Sequence, residues 1–358
     1  MPRSQEDPLS KRPVRRHDID WLRVIALLLL IFYHAAFVFN SEGAIRYRAS
    51  LDWLDPVMSM LNVWRIPILF VISGMSLRFA MERRNWKRLW QDRTLRLMLP
   101  YYFGWFVLNR ITSLFIAMHR GSAEPAPPDA GHLWFLNNLF VYFALLSPLL
   151  WYLKKHPNNS LFRCLRRIYR YRLGLLVMAL PLVLEAIVLN LEAGQYKDYL
   201  DPAHGWLLGG GMFLTGFIFA SLRDDYWQAL PRLRWIALAL AFGLYLTRMT
   251  LLDLGPLTAL ESYCWILALF GFASRHLNRP SKPLRYLSSA VYPVYIVHLP
   301  LQIALSWYLV QFQLPLNLAL VLLLAGVFGG SFALYEIIRR VKWIRPLFGM
   351  KLTQDKHQ

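Results

Sequence analysis

The sequence predicts an all-α fold: a polytopic membrane protein, a bundle of about ten transmembrane helices with both termini cytoplasmic. Three observations predict it. Apolar runs near the length that spans a bilayer recur along the 358 residues. Lys and Arg collect in alternate connections between those runs. The composition, 56% hydrophobic with a mean hydropathy of +0.34, does not suit a soluble globular domain. The formal charge is +19, from 40 Lys and Arg against 21 Asp and Glu. So basic a chain could mean nucleic acid, but the charge lies in short segments between apolar runs. Membrane topology and an anionic ligand or lipid fit better.

Residues 1–17 form a Pro-rich, basic tail expected to be disordered, 18–347 the helical bundle and 348–358 a C-terminal tail. No A-x-A cleavage site closes the first apolar run, which therefore reads as an uncleaved span. Candidate spans fall at 21–40, 57–79, 97–118, 132–153, 173–191, 205–222, 234–250, 255–273, 288–310 and 316–338. The segment 234–250 reads as short, and 251–256 as a tight turn. One side receives the basic tail and the clusters around Arg83–Arg96, Lys154–Arg172, Arg223–Arg234, Arg275–Arg285 and Arg339–Lys351. The other receives only Arg46, Arg48, Arg120 and Lys197 among many acids. The loops on that side are short, so no second soluble domain is expected. Cys164 lies in a basic loop and Cys264 in an apolar run, so no disulfide is expected.

The first span carries Asp20, Arg23 and His34. Arg23 and His34 are eleven residues apart, almost three turns, and share a face, with Asp20 within about 60° of it. At 1.5 Å per residue His34 lies about 16 Å in from Arg23, near mid-membrane, where ionisable groups tend to mark function. A neutral imidazole there can take a proton from a hydroxyl and return it to a leaving group. The second span puts Asn62, Arg65 and Ser76 on one face, with Ser73 about 80° from Arg65. So deep an arginine needs an anion or a carbonyl, and Glu185 is a candidate partner. Ser73-Gly74 permits close helix approach.

The segment from Glu82 to Pro100 is dense in Arg and Lys around Trp86 and Trp90. It suits a lipid-headgroup anchor, or a site for a phosphorylated ligand built on Arg93, Arg96 and Arg88, since Arg93 and Arg96 stand one turn apart. His132 and Trp134 open the fourth span, as an interfacial aromatic belt or as a mouth where a sugar stacks. The ninth span aligns Ser288, Tyr292, Tyr295, Gln302 and Ser306, with His298 at the edge. That stripe cannot face lipid, and His298 matches His34 in depth, which suggests a shared chamber. Glu336 suits a local ion pair with Arg339 and Arg340, and Arg110 and Arg248 suit pairing or snorkelling.

Together these residues resemble the acyltransferase type 3 family of bacterial membrane acyltransferases. The resemblance rests on Arg23-x10-His34, on LFVISGM at 69–75, and on Arg93-x-x-Arg96 followed by Pro100, and it runs from about Asp18 to Leu347. HLWFL at 132–136, VYIVHLPL at 294–301 and YEIIRRVKWIRPLFGMK at 335–351 are most similar to the branch that succinylates periplasmic glucans. Unlike in multidomain members, no appended periplasmic esterase-like domain is expected.

The resemblance implies a multi-pass inner-membrane enzyme. It would move an acetyl or succinyl group from cytoplasmic acyl-CoA to a hydroxyl of an extracytoplasmic carbohydrate or glucan, without a metal. His34 would act as base or acyl carrier, Arg23 with Asp20 would orient the site or hold the donor, and Arg93, Arg96 and Arg88 would hold the donor's phosphates. Arg65, Ser73, His132, Trp134, Tyr295 and His298 would line the acceptor chamber. The alternative is a carrier or flippase for a polar or anionic lipid-linked substrate, with Arg65, Glu185 and His298 on its path.

Overall fold

A computed structural model describes residues 15–40, 44–127 and 129–352. Most of the predicted tails, 1–14 and 353–358, lie outside the described residues. The elements are α1 (His17–Ala36), α2 (Leu54–Arg83), α3 (Trp86–Phe103), α4 (Asn109–Arg120), α5 (Trp134–Lys155), α6 (Ser160–Tyr169) and α7 (Leu180–Val188), then α8 (Ala193–Tyr196), α9 (Pro202–Leu222), α10 (Asp224–Thr250), α11 (Gly255–His276), α12 (Lys282–Leu309) and α13 (Leu316–Arg340). No strand occurs among the described residues.

Among the described residues, eight helical segments are long and apolar enough to cross a membrane: those on α1, α2, α5 and α9 to α13. The remaining two expected spans are helical but different in kind. The third is α3 joined to α4 through a π turn, Gly104–Leu108. Its helix starts at Trp86, ahead of the expected span at 97–118, because the Asn85 side chain accepts the Arg88 backbone N–H and caps the helix before the arginines. The fifth is a 3₁₀ turn, Gly174–Ala179, followed by the nine-residue α7. The segment read as short, 234–250, belongs to a 27-residue helix. Its charged first turns, from Asp224, hid it from an apolar-run reading.

Long-range bonds show which helix ends share a level. At one end Arg23 meets Ser76 on α2, and the His17 N–H donates to Asn278 after α11. There too Arg16 stacks on Trp227 of α10, Lys154 of α5 donates to the Met81 carbonyl, and Arg223 bonds Glu82. The basic clusters of the described residues gather there, and we call it the basic end. At the opposite end Asn40 donates to Asp55, and Tyr47 donates to the carbonyls of Phe312 and Leu314. Tyr199 donates to the Asn62 and Val63 carbonyls there.

Gly74 and Gly216 set the closest helix crossing. A Cβ on Gly74 would stand 1.9 Å from the Phe213 carbonyl oxygen, and one on Gly216 the same distance from that of Val71. The two backbones touch, as the Ser73-Gly74 pair predicted. Arg248 and Glu261 form a bidentate pair at 2.7 and 3.0 Å, both side chains almost wholly buried, and Arg248 also donates to Ser59. Arg248 is thus paired rather than snorkelling. Glu336 makes the expected local pair with Arg339 at 2.7 Å. Cys164 is exposed and Cys264 buried, both free.

Candidate active site

The basic end holds the first half of the site. Arg93 and Arg96 lie three residues apart on α3 and so project together. Burial, then the neighbouring charges of Arg96, Arg84 and Arg23, lower the Arg93 pKa to about 10. Four guanidinium groups from three elements therefore converge on one place. Arg84 is neutralised in part by Asp92, at 2.7 Å. Arg23 bonds Asp20 at 3.4 Å and Ser76 at 2.7 Å, and Arg15 shares Asp20. Of the two roles expected for Arg23 and Asp20, their contacts favour the donor end: they join the arginine cluster, eleven residues of rise away from His34 on one helical face. Arg88 is exposed and outside the cluster. It lies five residues before Arg93, about 140° away around the helix.

From this cluster α12 leads inward. The Tyr292 hydroxyl donates to the Arg96 carbonyl at 2.6 Å. One turn deeper the Tyr295 hydroxyl donates to the His132 carbonyl at 2.5 Å. His298 follows one turn further, fully buried.

Three imidazoles meet there. The His34 and His298 ring centres are 5.5 Å apart, and those of His132 and His298 5.2 Å. The two histidines of matched depth lie close together, with His132 beside them, and of the three His34 lines the cavity described below. One carbonyl oxygen, that of Tyr295, faces His298 Nδ1 at 2.7 Å and His132 Nε2 at 3.1 Å. A carbonyl only accepts, so in the neutral rings each facing nitrogen carries the proton. The other nitrogens, His298 Nε2 and His132 Nδ1, are then bare acceptors, buried without a hydrogen-bond partner. His34 has neither restraint; among the described residues nothing bonds its ring nitrogens. It lines a cavity of about 550 Å³ with Asn109, Thr112, Gly131 and Gln302. The cavity opens among Arg120, Glu124 and Asp129 at the end opposite the arginines.

Arg65 completes the centre. Its guanidinium lies 3.5 Å from the centre of the Tyr33 ring, which stands 6.1 Å from the His34 ring. It donates to Asn62 Oδ1 at 3.5 Å, while among the described residues Nε and Nη1 are buried without a partner. The expected pairing with Glu185 does not occur. Glu185 instead bonds His204 at 2.6 Å, and His204 also bonds the Tyr196 carbonyl. Helix periodicity places a residue on a face but does not say which helix that face meets. Ser73 is half-buried one turn from Ser76. Trp134 packs against Phe70 and Phe135, away from the residues that line the cavity. The missed mouth residues Asn109, Thr112 and Arg120 left only a weak signal, polar side chains at the outer turns of an apolar run. Among the described residues no group of three or more His, Cys, Asp and Glu is placed to hold a metal ion.

A half-buried base on the wall of an open cavity, with a polycationic cluster at the far end of the same helix, suits transfer between two substrates entering from opposite ends. A family model for the acyltransferase domain matches residues 16–336, which take in every one of these groups. The chain belongs to the acyltransferase type 3 family. This acyltransferase is a multi-pass membrane enzyme that transfers acyl groups. It is 24% identical over 376 residues to the glucans biosynthesis protein C of Escherichia coli K12, a match covering 94% of this chain and 95% of that one. The proteins of the same name from E. coli O81 strain ED1a and strain SMS-3-5 match the acyltransferase to the same extent. No solved structure matches it significantly.

Proposed function

We propose that this enzyme moves an acetyl or succinyl group from cytoplasmic acyl-CoA to a hydroxyl of an extracytoplasmic carbohydrate, with a glucan as the leading acceptor class. The chain would cross the bacterial inner membrane ten times, N-in and C-in. The observation that carries the reading is His34, an unrestrained imidazole on the wall of a cavity open at the end opposite the arginines. The resemblance of the whole chain to proteins named for glucan biosynthesis supports the acceptor class.

In this reading Arg93 and Arg96, backed by Arg23, bind the phosphates of the donor, where charge-assisted bonds are strongest. The acyl-pantetheine arm passes Tyr292 and Tyr295 and brings its thioester to His34. The acceptor enters by the 550 Å³ cavity. Of the three imidazoles, His34 lines this cavity and meets the acceptor's hydroxyl. His34 takes the proton of the attacking hydroxyl, whose oxygen bonds to the thioester carbonyl carbon. The C–S bond then breaks, and the leaving thiolate takes the proton back from His34.

The carrier reading is weakened because Glu185, needed on its path, is bonded to His204. Mass spectrometry of envelope glycans from cells with and without the protein tests the proposal. Acyl substituents should disappear with the protein, and should stay absent when His34→Ala is expressed at wild-type level. Unchanged glycans in either strain would refute it.

A further inference from the structure

We infer that Arg65 stabilises the oxyanion formed when the acceptor attacks the thioester, an inference that rests on the reading above. The first argument is position. α1 and α2 are antiparallel, tied by Arg23 to Ser76 at one end and by Asn40 to Asp55 at the other. Arg65 lies eleven residues from Ser76, as His34 lies eleven from Arg23, so the two reach the same depth on adjacent helices. The Tyr33 ring, under the guanidinium and beside His34, spans the gap between them.

The second argument is a count of donors. Attack places negative charge on the former carbonyl oxygen, and that oxygen needs hydrogen-bond donors. His298 and His132 present bare acceptor nitrogens, and His34 is taking up the hydroxyl proton. Among the described residues, Arg65, on the far face of the Tyr33 ring beside His34, has buried donors without a partner at Nε and Nη1. The other unpartnered donor on this stretch of α2, Trp64 Nε1, lies on a separate apolar pocket with Leu22 and Ile68.

The third argument is cost. Arg65 is 2% exposed within a membrane-spanning helix and has no carboxylate partner among the described residues. A buried cation without a counter-charge weakens a fold and is retained for an anion that arrives from elsewhere. Here the anion is the reaction's own: the oxyanion forms as the C–O bond forms and collapses as the C–S bond breaks. Arg65 keeps its protons throughout.

The test is Arg65→Met, with Arg65→Lys beside it. Each is purified in detergent and assayed for thiol release from acetyl-CoA and from succinyl-CoA with a neutral gluco-oligosaccharide as acceptor. Arg65→Met should melt at or above the wild-type temperature, since an uncompensated charge is removed. Its kcat should fall about 10²–10³-fold with both donors, KM staying within about threefold, and Arg65→Lys should recover part of the loss. A kcat within threefold of wild type would overturn the assignment. A KM increase confined to succinyl-CoA would replace it with recognition of a substrate carboxylate. A melting temperature well below wild type would show that the charge serves the fold. Wild-type protein inactive with both donors would count against the acyl-CoA reading itself.

Discussion

Arg93 is the residue whose environment most favours an anion. Its pKa of about 10 means that folding makes its positive charge harder to hold, first through burial and then through three like-charged neighbours. The sign of two effects follows. Without a bound anion the charge is a burden, so Arg93→Met should raise the melting temperature. With coenzyme A present the order should reverse, the wild type gaining more than the variant. Thermal melts of both proteins with and without coenzyme A check this. Arg93 stays charged at neutral pH and loses its proton as pH climbs through about 10. KM for acyl-CoA should therefore rise in that range in wild type and stay flat there in Arg93→Met. Each lost phosphate contact should cost about 1.5–3 kcal/mol, a KM increase on the order of tenfold or more.

Two predictions belong to the elements. Gly74→Ala or Gly216→Ala would drive a methyl into a carbonyl across the α2–α9 crossing, where neither backbone can give. Each should cost about 1–3 kcal/mol or more, seen as a lower melting temperature in detergent. Gly243→Ala on α10, which meets nothing within 4 Å, is the control. Glu261→Gln would leave Arg248 buried without its counter-charge and should destabilise by about 3–5 kcal/mol. Replacing both partners with apolar residues should recover most of that loss. The π turn at Gly104–Leu108 deserves the same reading: it carries α3 past Leu133, where a Cβ on Gly104 would stand 1.8 Å from that side chain. A regular helix would lose that passage.

Across the whole molecule, the gathering of basic clusters at one end predicts sidedness. Cys164 is exposed on α6, among those clusters, and Cys264 is buried. A membrane-impermeant maleimide should label Cys164 only after cells are permeabilised. A cysteine at Ser122, on the cavity side, should be labelled in intact cells. Labelling of Cys164 in intact cells would invert the proposed orientation and, with it, the donor and acceptor sides.

The residues were legible in the sequence to different depths. Apolar run length and the distribution of Lys and Arg marked the helices, since a membrane-spanning backbone must satisfy its own hydrogen bonds and its charges stay at the ends. Helical repeat put Arg93 beside Arg96 and put His34 at the depth of His298. What only the tertiary structure decided is which side chains meet. Glu185 went to His204 and left Arg65 bare, His132 joined His298 through the Tyr295 carbonyl, Trp134 turned into a helix interface, and Arg23 joined the arginine cluster. Periodicity fixes a residue's height and face on its own helix; the partner on that face depends on how the neighbouring helices are placed and rotated, and that is set by packing between residues far apart in the chain.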